Sequence, residues 1–205
     1  MDGLLFDSER IVQRSWEIAG DELGIPHMED VIYHTLGMNR AGRNEYFRKY
    51  IREDFPFEEF GKLTRDNFWK IVDKEGLPLK KGAKELLAYG KSQGYKMAVA
   101  TSSSREYAMG NLIRAGIDSY FDSVVCGDMV KKAKPDPEIY QKACESLGIQ
   151  PEYCMAFEDA PGGILSAHQA GMHVIMVPDL VQPTQEIREL THRVCCLLYT
   201  SPSPR

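Results

Sequence analysis

The sequence predicts an α/β chain, with a helical unit over residues of about 10–78 followed by a parallel sheet covered on both faces. Three observations predict it. Apolar residues recur at helical intervals through the first third, with no strand-like run among them. From residue 81 onward, a helix, a glycine and a short apolar strand follow one another four times. Those strands are continuously apolar rather than alternating, as in sheets buried on both sides.

Taken in order, Ile11, Trp16, Ile18, Ala19 and Leu23 space a first helix, with Ser8 as its cap and Gly24 closing it. Similar patterns span 28–36, 41–53 and 57–75, the last carrying Phe60, Leu63, Phe68, Ile71 and Val72. A helix over 81–93 ends at Gly94 and leads into Met97-Ala98-Val99-Ala100-Thr101. A helix over 105–115 ends at Gly116 ahead of Ser123-Val124-Val125-Cys126-Gly127. The third, 137–147, ends at Gly148 before Cys154-Met155-Ala156-Phe157, and the fourth, 161–170, ends at Gly171 before His173-Val174-Ile175-Met176-Val177. No segment repeats another in sequence, so the rhythm is architectural. Trp16 and Trp69 fit packing inside the helical unit better than stacking on bases.

At 205 residues the chain has room for one sizeable domain, or for a domain with a smaller insert. With 25 Lys+Arg against 30 Asp+Glu, the net charge of -5 speaks against a nucleic-acid partner. A small anionic substrate stays compatible, since a local pocket of cations can sit in an acidic protein. No apolar run approaches the roughly 20 residues a membrane span needs, and the N-terminus lacks the basic region and apolar length of a signal peptide. The five cysteines are odd in number, without CxxC spacing and mostly in apolar segments. They read as free thiols of a cytoplasmic protein. His27, His34, His168, His173 and His192 show no metal-ligand spacing. Residues 196–205 fit no helix or strand pattern and resemble the translation of a sequencing-library adapter. They are expected to be non-native, with the authentic C-terminus lost; a native Ser/Pro-rich tail is the alternative.

Ligands of open parallel sheets gather at the carboxyl ends of the strands. Four polar clusters fall at such places: Asp2-Gly3, Thr101-Ser102-Ser103-Ser104, Lys134-Pro135-Asp136-Pro137 and Glu158-Asp159. Carboxylates, a hydroxyl and a lysine on one edge suit phosphoryl transfer, where a protein mostly positions groups and neutralises charge. Each cluster has a plainer role when taken alone. Asp2 could close a turn, the serine run could cap a helix, Lys134 could be solvated, and Asp159 could cap the helix after it.

Together the clusters carry a resemblance. Met1-Asp2-Gly3-Leu4-Leu5-Phe6-Asp7-Ser8-Glu9 resembles the haloacid dehalogenase opening, DxDGxLxDS/TE, with its first aspartate cut off. Thr101-Ser102-Ser103 resembles the second motif of that superfamily, Lys134-Pro135 the third, and the FEDAPGG string at 157–163 the fourth. Their order and spacing agree over nearly the whole chain. Within the superfamily the chain resembles the β-phosphoglucomutase-like and phosphatase members that carry a helical cap.

The resemblance implies a Rossmann-like parallel sheet core over 1–9 and 79–195, its first central strand largely missing, with an inserted α-helical cap over 10–78. It also implies roles. Asp2 is the general acid and base, and its carbonyl is a Mg²⁺ ligand. Thr101 and the Ser102 N–H hold the transferring phosphoryl group, Lys134 bridges nucleophile and phosphate, and Glu158 and Asp159 serve the metal, Asp159 directly. Arg40 and Lys70 fall where the mutases place cap cations for substrate; a solvated helix face fits them equally. The implied nucleophile is an aspartate immediately before Met1, so the chain as written is expected to be inactive and poorly folded, its flanking strands short of a partner. The implied activity is Mg²⁺-dependent hydrolysis of a small phosphorylated metabolite by a monomer, through an aspartyl-phosphate. Val12 stands where the mutases carry a cap histidine, which favours hydrolysis over the alternative, a sugar phosphomutase. A non-catalytic fragment or phosphate-binding module is the alternative of another class.

Overall fold

A computed structural model describes residues 1–35, 40–179 and 181–195, apart from the side chains of Arg40 and Ala41. The tail over 196–205 lies outside the described residues, as do Gly37, Met38 and Asn39. The chain forms two compact units, one of Ser8–Leu77 and one of Met1–Asp7 together with the chain from Pro78 onward.

The first unit is helical: α1 (Ser8–Glu22), α2 (Met28–Thr35), α3 (Arg40–Tyr50) and α4 (Phe57–Glu75). Helices α1 and α4 pack along each other and bury Trp16, Phe47, Phe55 and Phe60 in one cluster. Trp16 meets Phe47 and Phe60 edge-on, with ring centroids 5.7 and 5.5 Å apart. The ring quadrupoles favour that geometry, by about 1 kcal/mol per pair beyond area burial. Trp69 departs from the packing expectation: it is largely exposed and leans on Phe68. Ser8 also departs from its expected role. It is the first residue of α1 rather than its cap, and its buried hydroxyl makes no hydrogen bond. The apolar spacing begins only at Ile11, and spacing of that kind places a helix start no better than a residue or two.

The second unit alternates helix and strand: α5 (Ala83–Ser92), β1 (Ala98–Ala100), α6 (Arg105–Arg114), β2 (Ser123–Val125), α7 (Glu138–Leu147), β3 (Met155–Glu158), α8 (Pro161–Gln169), β4 (His173–Met176), α9 (Gln185–Glu189) and β5 (Arg193–Val194). Every strand pair is parallel. Strand β1 pairs with β2, and β3-β4-β5 form a separate sheet. The α9–β5 pair was not legible in the sequence, because five helical and two strand residues are too few to show a period. Ile139, Ile164, Val174 and Met176 are sealed in the core shared by α7, α8 and β4. Each such burial contributes roughly 1.5–3 kcal/mol.

Residues 1–7 form no strand but a tight loop. The Met1 carbonyl accepts from the backbone N–H of Leu5 at 2.8 Å and of Phe6 at 3.2 Å. Isolated bridges join Asp2 to Phe6 and Phe6 to Leu79. Phe6 is fully buried and anchors the loop in the unit's interior.

Candidate active site

The loop holds Gly3 at φ 74°, a conformation that favours glycine. A Cβ there would also overlap the Asp159 carboxylate, so the Asp2-Gly3 turn rests directly on the carboxyl end of β3. Asp2 points the other way. Its Oδ2 accepts from the Ser103 hydroxyl at 3.0 Å and its Oδ1 from the Tyr107 hydroxyl at 2.9 Å. Two donors fix the carboxylate against the segment that follows β1.

That segment is shaped by its own side chains. Thr101, only 3% exposed, donates its backbone N–H to Val125 at 3.0 Å and accepts the Ser103 N–H on Oγ1 at 3.2 Å. Ser104 caps α6 by accepting from the Tyr107 N–H. Ser102 is exposed, and its carbonyl lies so close to Gly127 that a Cβ there would overlap it.

Lys134 joins the two sheets. Its Nζ donates to the Ala100 carbonyl at 3.1 Å, at the end of β1, and to Glu158 Oε1 at 2.6 Å, at the end of β3. The Tyr140 ring of α7 lies 4.8 Å from the same ammonium. The Tyr140 hydroxyl donates to the same Glu158 oxygen. Burial, then the adjacent Glu158 carboxylate, raise the Tyr140 phenol well above its ordinary value, so it stays a donor. Lys131 and Lys132, just ahead of Lys134 in the chain, are exposed.

Asp159 is raised from 3.8 to about 6, chiefly by burial and then by the Glu158 carboxylate; Asp179 pushes the same way, and the Met1 ammonium opposes. Asp179, two residues beyond β4 and its Val177 extension, binds Lys80 through Oδ1, and Lys80 also lies 3.4 Å from Asp7. The other Asp179 oxygen is buried without a hydrogen-bond partner and faces the same Gly3 position as Asp159. A buried orphan carboxylate oxygen beside a second crowded carboxylate is a donor set that a hard divalent cation would satisfy. Asp2, Glu158 and Asp159 do not close into one tight ligand cluster, however. Among the described residues, the one group of three with ligand atoms within 4.8 Å of one another is His27, Glu29 and Asp30, in the helical unit. Asp2 is turned to Ser103 and Tyr107, and Glu158 to Lys134 and Tyr140.

Asp2, Thr101, Lys134, Glu158 and Asp159 therefore ring the strand ends of the α/β unit. Lys70 belongs to the helical unit, where its ammonium donates to Asn67 at 3.3 Å. Arg40 begins α3 in the same unit, and its side chain lies outside the described residues. Sequence reasoning placed Ser103 in the second motif without a role of its own and passed over Tyr107, Tyr140, Lys80 and Asp179. Asp179 could have been found by the strand-end rule that found the others. Tyr107 and Tyr140 sit inside helices and gave no such signal.

The profile of haloacid dehalogenase-like hydrolases matches residues 1–177. The chain belongs to that family. Among the haloacid dehalogenase-like relatives, a phosphorylated carbohydrates phosphatase of Thermotoga maritima is 33% identical over 175 residues, 85% of this chain and 81% of that protein. Hexitol phosphatase A of Escherichia coli is 32% identical over 177 residues, covering 86% and 80%. A Thermotoga maritima crystal structure provisionally designated a β-phosphoglucomutase superposes with a TM-score of 0.80 at 28% identity, covering 95% of this chain and 91% of that one. By family, this haloacid dehalogenase-like chain is a hydrolase with phosphatase relatives and a Rossmann-type fold. No helix among its described residues is long and apolar enough to cross a membrane.

Proposed function

We propose that this site serves Mg²⁺-dependent hydrolysis of a small phosphomonoester, a sugar phosphate or similar metabolite, with Asp2 as the proton-transfer group. The observation that supports the reading is that Asp2, Thr101, Lys134, Glu158 and Asp159 all lie at or beside the carboxyl ends of β1 and β3, Asp2 bonded to Ser103 after β1 and Lys134 to the ends of both strands.

Asp2 is held by two hydroxyl donors, which orient it and let it give a proton to a leaving alkoxide and later take one from water. Thr101 and the Ser102 N–H lie at the head of α6, where backbone donors favour a phosphoryl oxygen. Lys134, tied to Glu158 and Ala100, supplies a fixed positive charge for the non-bridging oxygens. Asp159 and Asp179, with the Asp2 carbonyl, would hold the metal, while Glu158 acts through Lys134. When bound, Mg²⁺ polarises the phosphoryl group and screens its charge. Arg40 and Lys70, both in the helical unit, are proposed as substrate-binding residues.

By the resemblance, the nucleophile this reading calls for is an aspartate one position before Met1. The test compares phosphate release from p-nitrophenyl phosphate and hexose phosphates by the 205 residues and by the same chain preceded by an apolar strand ending in aspartate. The extended chain should turn over, and Asp2→Asn within it should lose on the order of 100-fold or more in rate. An extended chain that folds but releases no phosphate would sink the reading. One that isomerises hexose 1-phosphate instead would move it to a mutase, the second reading favoured by the designation of the Thermotoga structure.

A further inference from the structure

Helix α7 and strand β3 meet at more than the Tyr140–Glu158 contact. Because the Tyr140 hydroxyl donates to Glu158, the face of β3 that carries Glu158 is turned to α7. Cys154 directly precedes β3 in extended backbone, at φ -108° and ψ 146°, and its carbonyl already accepts from His173 of β4 at 3.0 Å. Side chains alternate along such a segment, which puts Cys154, Ala156 and Glu158 on one face. Tyr140 and Cys144 lie four positions apart, on one stripe of α7. Ala143 and Ala156 pack with Tyr140 in the same buried cluster. The two elements therefore meet along matched faces, with Tyr140 against Glu158 at one end and Cys144 against Cys154 at the other.

The turn between them holds the two thiols together. Ile149 donates its N–H back to the Cys144 carbonyl at 3.1 Å, and the Cys154 thiol donates to the carbonyl of the next residue, Gln150, at 3.4 Å. Cys144, only 3% exposed, hydrogen-bonds the Cys154 sulfur. Burial first, and then that bond, push the Cys144 thiol up to about 12. A bond that raises a thiol holds its proton in place, so Cys144 is the donor and Cys154 the acceptor.

The pair is asymmetric in access. Among the described cysteines, Cys126, Cys144 and Cys195 are buried and Cys154 is half-buried. A small oxidant from solvent therefore meets Cys154 first, and finds a second thiol already in contact behind it.

We propose that Cys144 and Cys154 form an oxidation site that closes to a disulfide under hydrogen peroxide. The Cys154 sulfur attacks one peroxide oxygen. An S–O bond forms, the O–O bond breaks, and the thiol proton leaves with the second oxygen as water, giving a sulfenic acid. Cys144 then attacks that sulfur. The S–S bond forms, the S–O bond breaks, and the Cys144 proton departs with the oxygen as a second water. Two thiols are oxidised and one peroxide is reduced. Buried and protonated, Cys144 is inert toward peroxide itself and answers only to a sulfenic acid beside it. The bridge fastens α7 to β3 one helical turn from the Tyr140–Glu158 contact. The inference is independent of the proposed phosphatase chemistry, since neither thiol takes part in it.

The test treats the 205-residue chain with hydrogen peroxide, blocks the remaining thiols and cleaves after glutamate without reductant. Cleavage at Glu138, Glu145, Glu152 and Glu158 separates peptide 139–145 from peptide 153–158, one cysteine in each. Mass spectrometry should find these two peptides joined, and reductant should part them. In Cys144→Ser, dimedone should trap the Cys154 sulfenic acid at least about tenfold more than in the parent, because the resolving thiol is gone. In Cys154→Ser, Cys144 should stay a thiol. Circular dichroism checks that both variants keep the parent's fold, and the linkage itself is read on the parent. Cys154 oxidised without joining Cys144, or joined instead to Cys126, Cys195 or another chain, would overturn the proposal. So would a pair left reduced by peroxide that oxidises free cysteine under the same conditions.

Discussion

Glu158 is 6% exposed and shares one carboxylate oxygen between Lys134 and Tyr140, so its stability rests on both donors remaining in place. Removing the ammonium leaves a buried acceptor with a single phenol. Lys134→Ala should lower unfolding free energy by about 3 kcal/mol, read from the urea midpoint, because breaking a buried pair costs more than the pair is worth. Phosphate affinity should fall as well. Gly163 sets a second constraint on the same carboxylate. It lies in the first turn of α8, and a Cβ on it would overlap Glu158. Gly163→Ala should cost about 1–3 kcal/mol in thermal or urea melts, since the acid cannot move without leaving Lys134. In the sequence this glycine is simply the end of the FEDAPGG string; the clash that demands it exists only once α8 returns over β3.

The segment from Lys131 to Glu138 brings Lys134 to the rim, and Glu138 pins it. Its carboxylate accepts the backbone N–H of Lys131 and Lys132, at 3.0 and 2.9 Å, and the Lys142 ammonium lies 2.9 Å away. The Lys142 contact first, and the two N–H donors after it, hold Glu138 at about 2, below its ordinary 4.5. A folded value below the unfolded one means that the unfolded chain binds the proton more readily. The stabilisation is therefore whole above pH about 4.5 and drains away as pH falls toward 2. Glu138→Gln should be less stable than the parent at pH 6, with the gap closing as melts are repeated down through that window. A gap that stays constant with pH would refute the role. The sequence shows Glu138 as a first-turn acid of α7, a favourable place against the helix dipole. That it reaches back seven residues to clamp a loop was not visible there, because side-chain-to-backbone bonds of that span leave no periodic trace.

Across the α/β unit, protection should follow pairing rather than hydrophobicity. Among the described residues, strand β4 is bonded on both sides, to β3 and β5, whereas β1 and β3 each have one partner strand. Val174, Ile175 and Met176 are all buried, while Met155 is mostly exposed. Amides of β4 should exchange about tenfold or more slowly than those of Ala98, Met155 and Phe157, since each extra 1.4 kcal/mol of opening free energy is a factor of ten. Equal exchange along all three strands would refute this ordering. Apolar runs at 97–101 and 154–157 announced strands, and their continuity announced burial on two faces. Neither could say that the two would stand apart as edges of separate sheets, since strand order depends on contacts between segments more than fifty residues apart; that expectation came from the family resemblance alone.

Local chemistry made the rest readable. Helical and strand segments follow from the spacing of apolar side chains, and each is satisfied within a few residues, so one dimension suffices to see it. The same holds for the four motif strings, whose residue types announce metal, phosphate and proton transfer wherever the chain carries them. Folding in three dimensions added the partners: Tyr107 on Asp2, Tyr140 beside Lys134, and Asp179 beside Asp159. Those depend on which strand ends meet, and short-range patterning carries no information about that, since the contacts form between residues that neither period nor motif links.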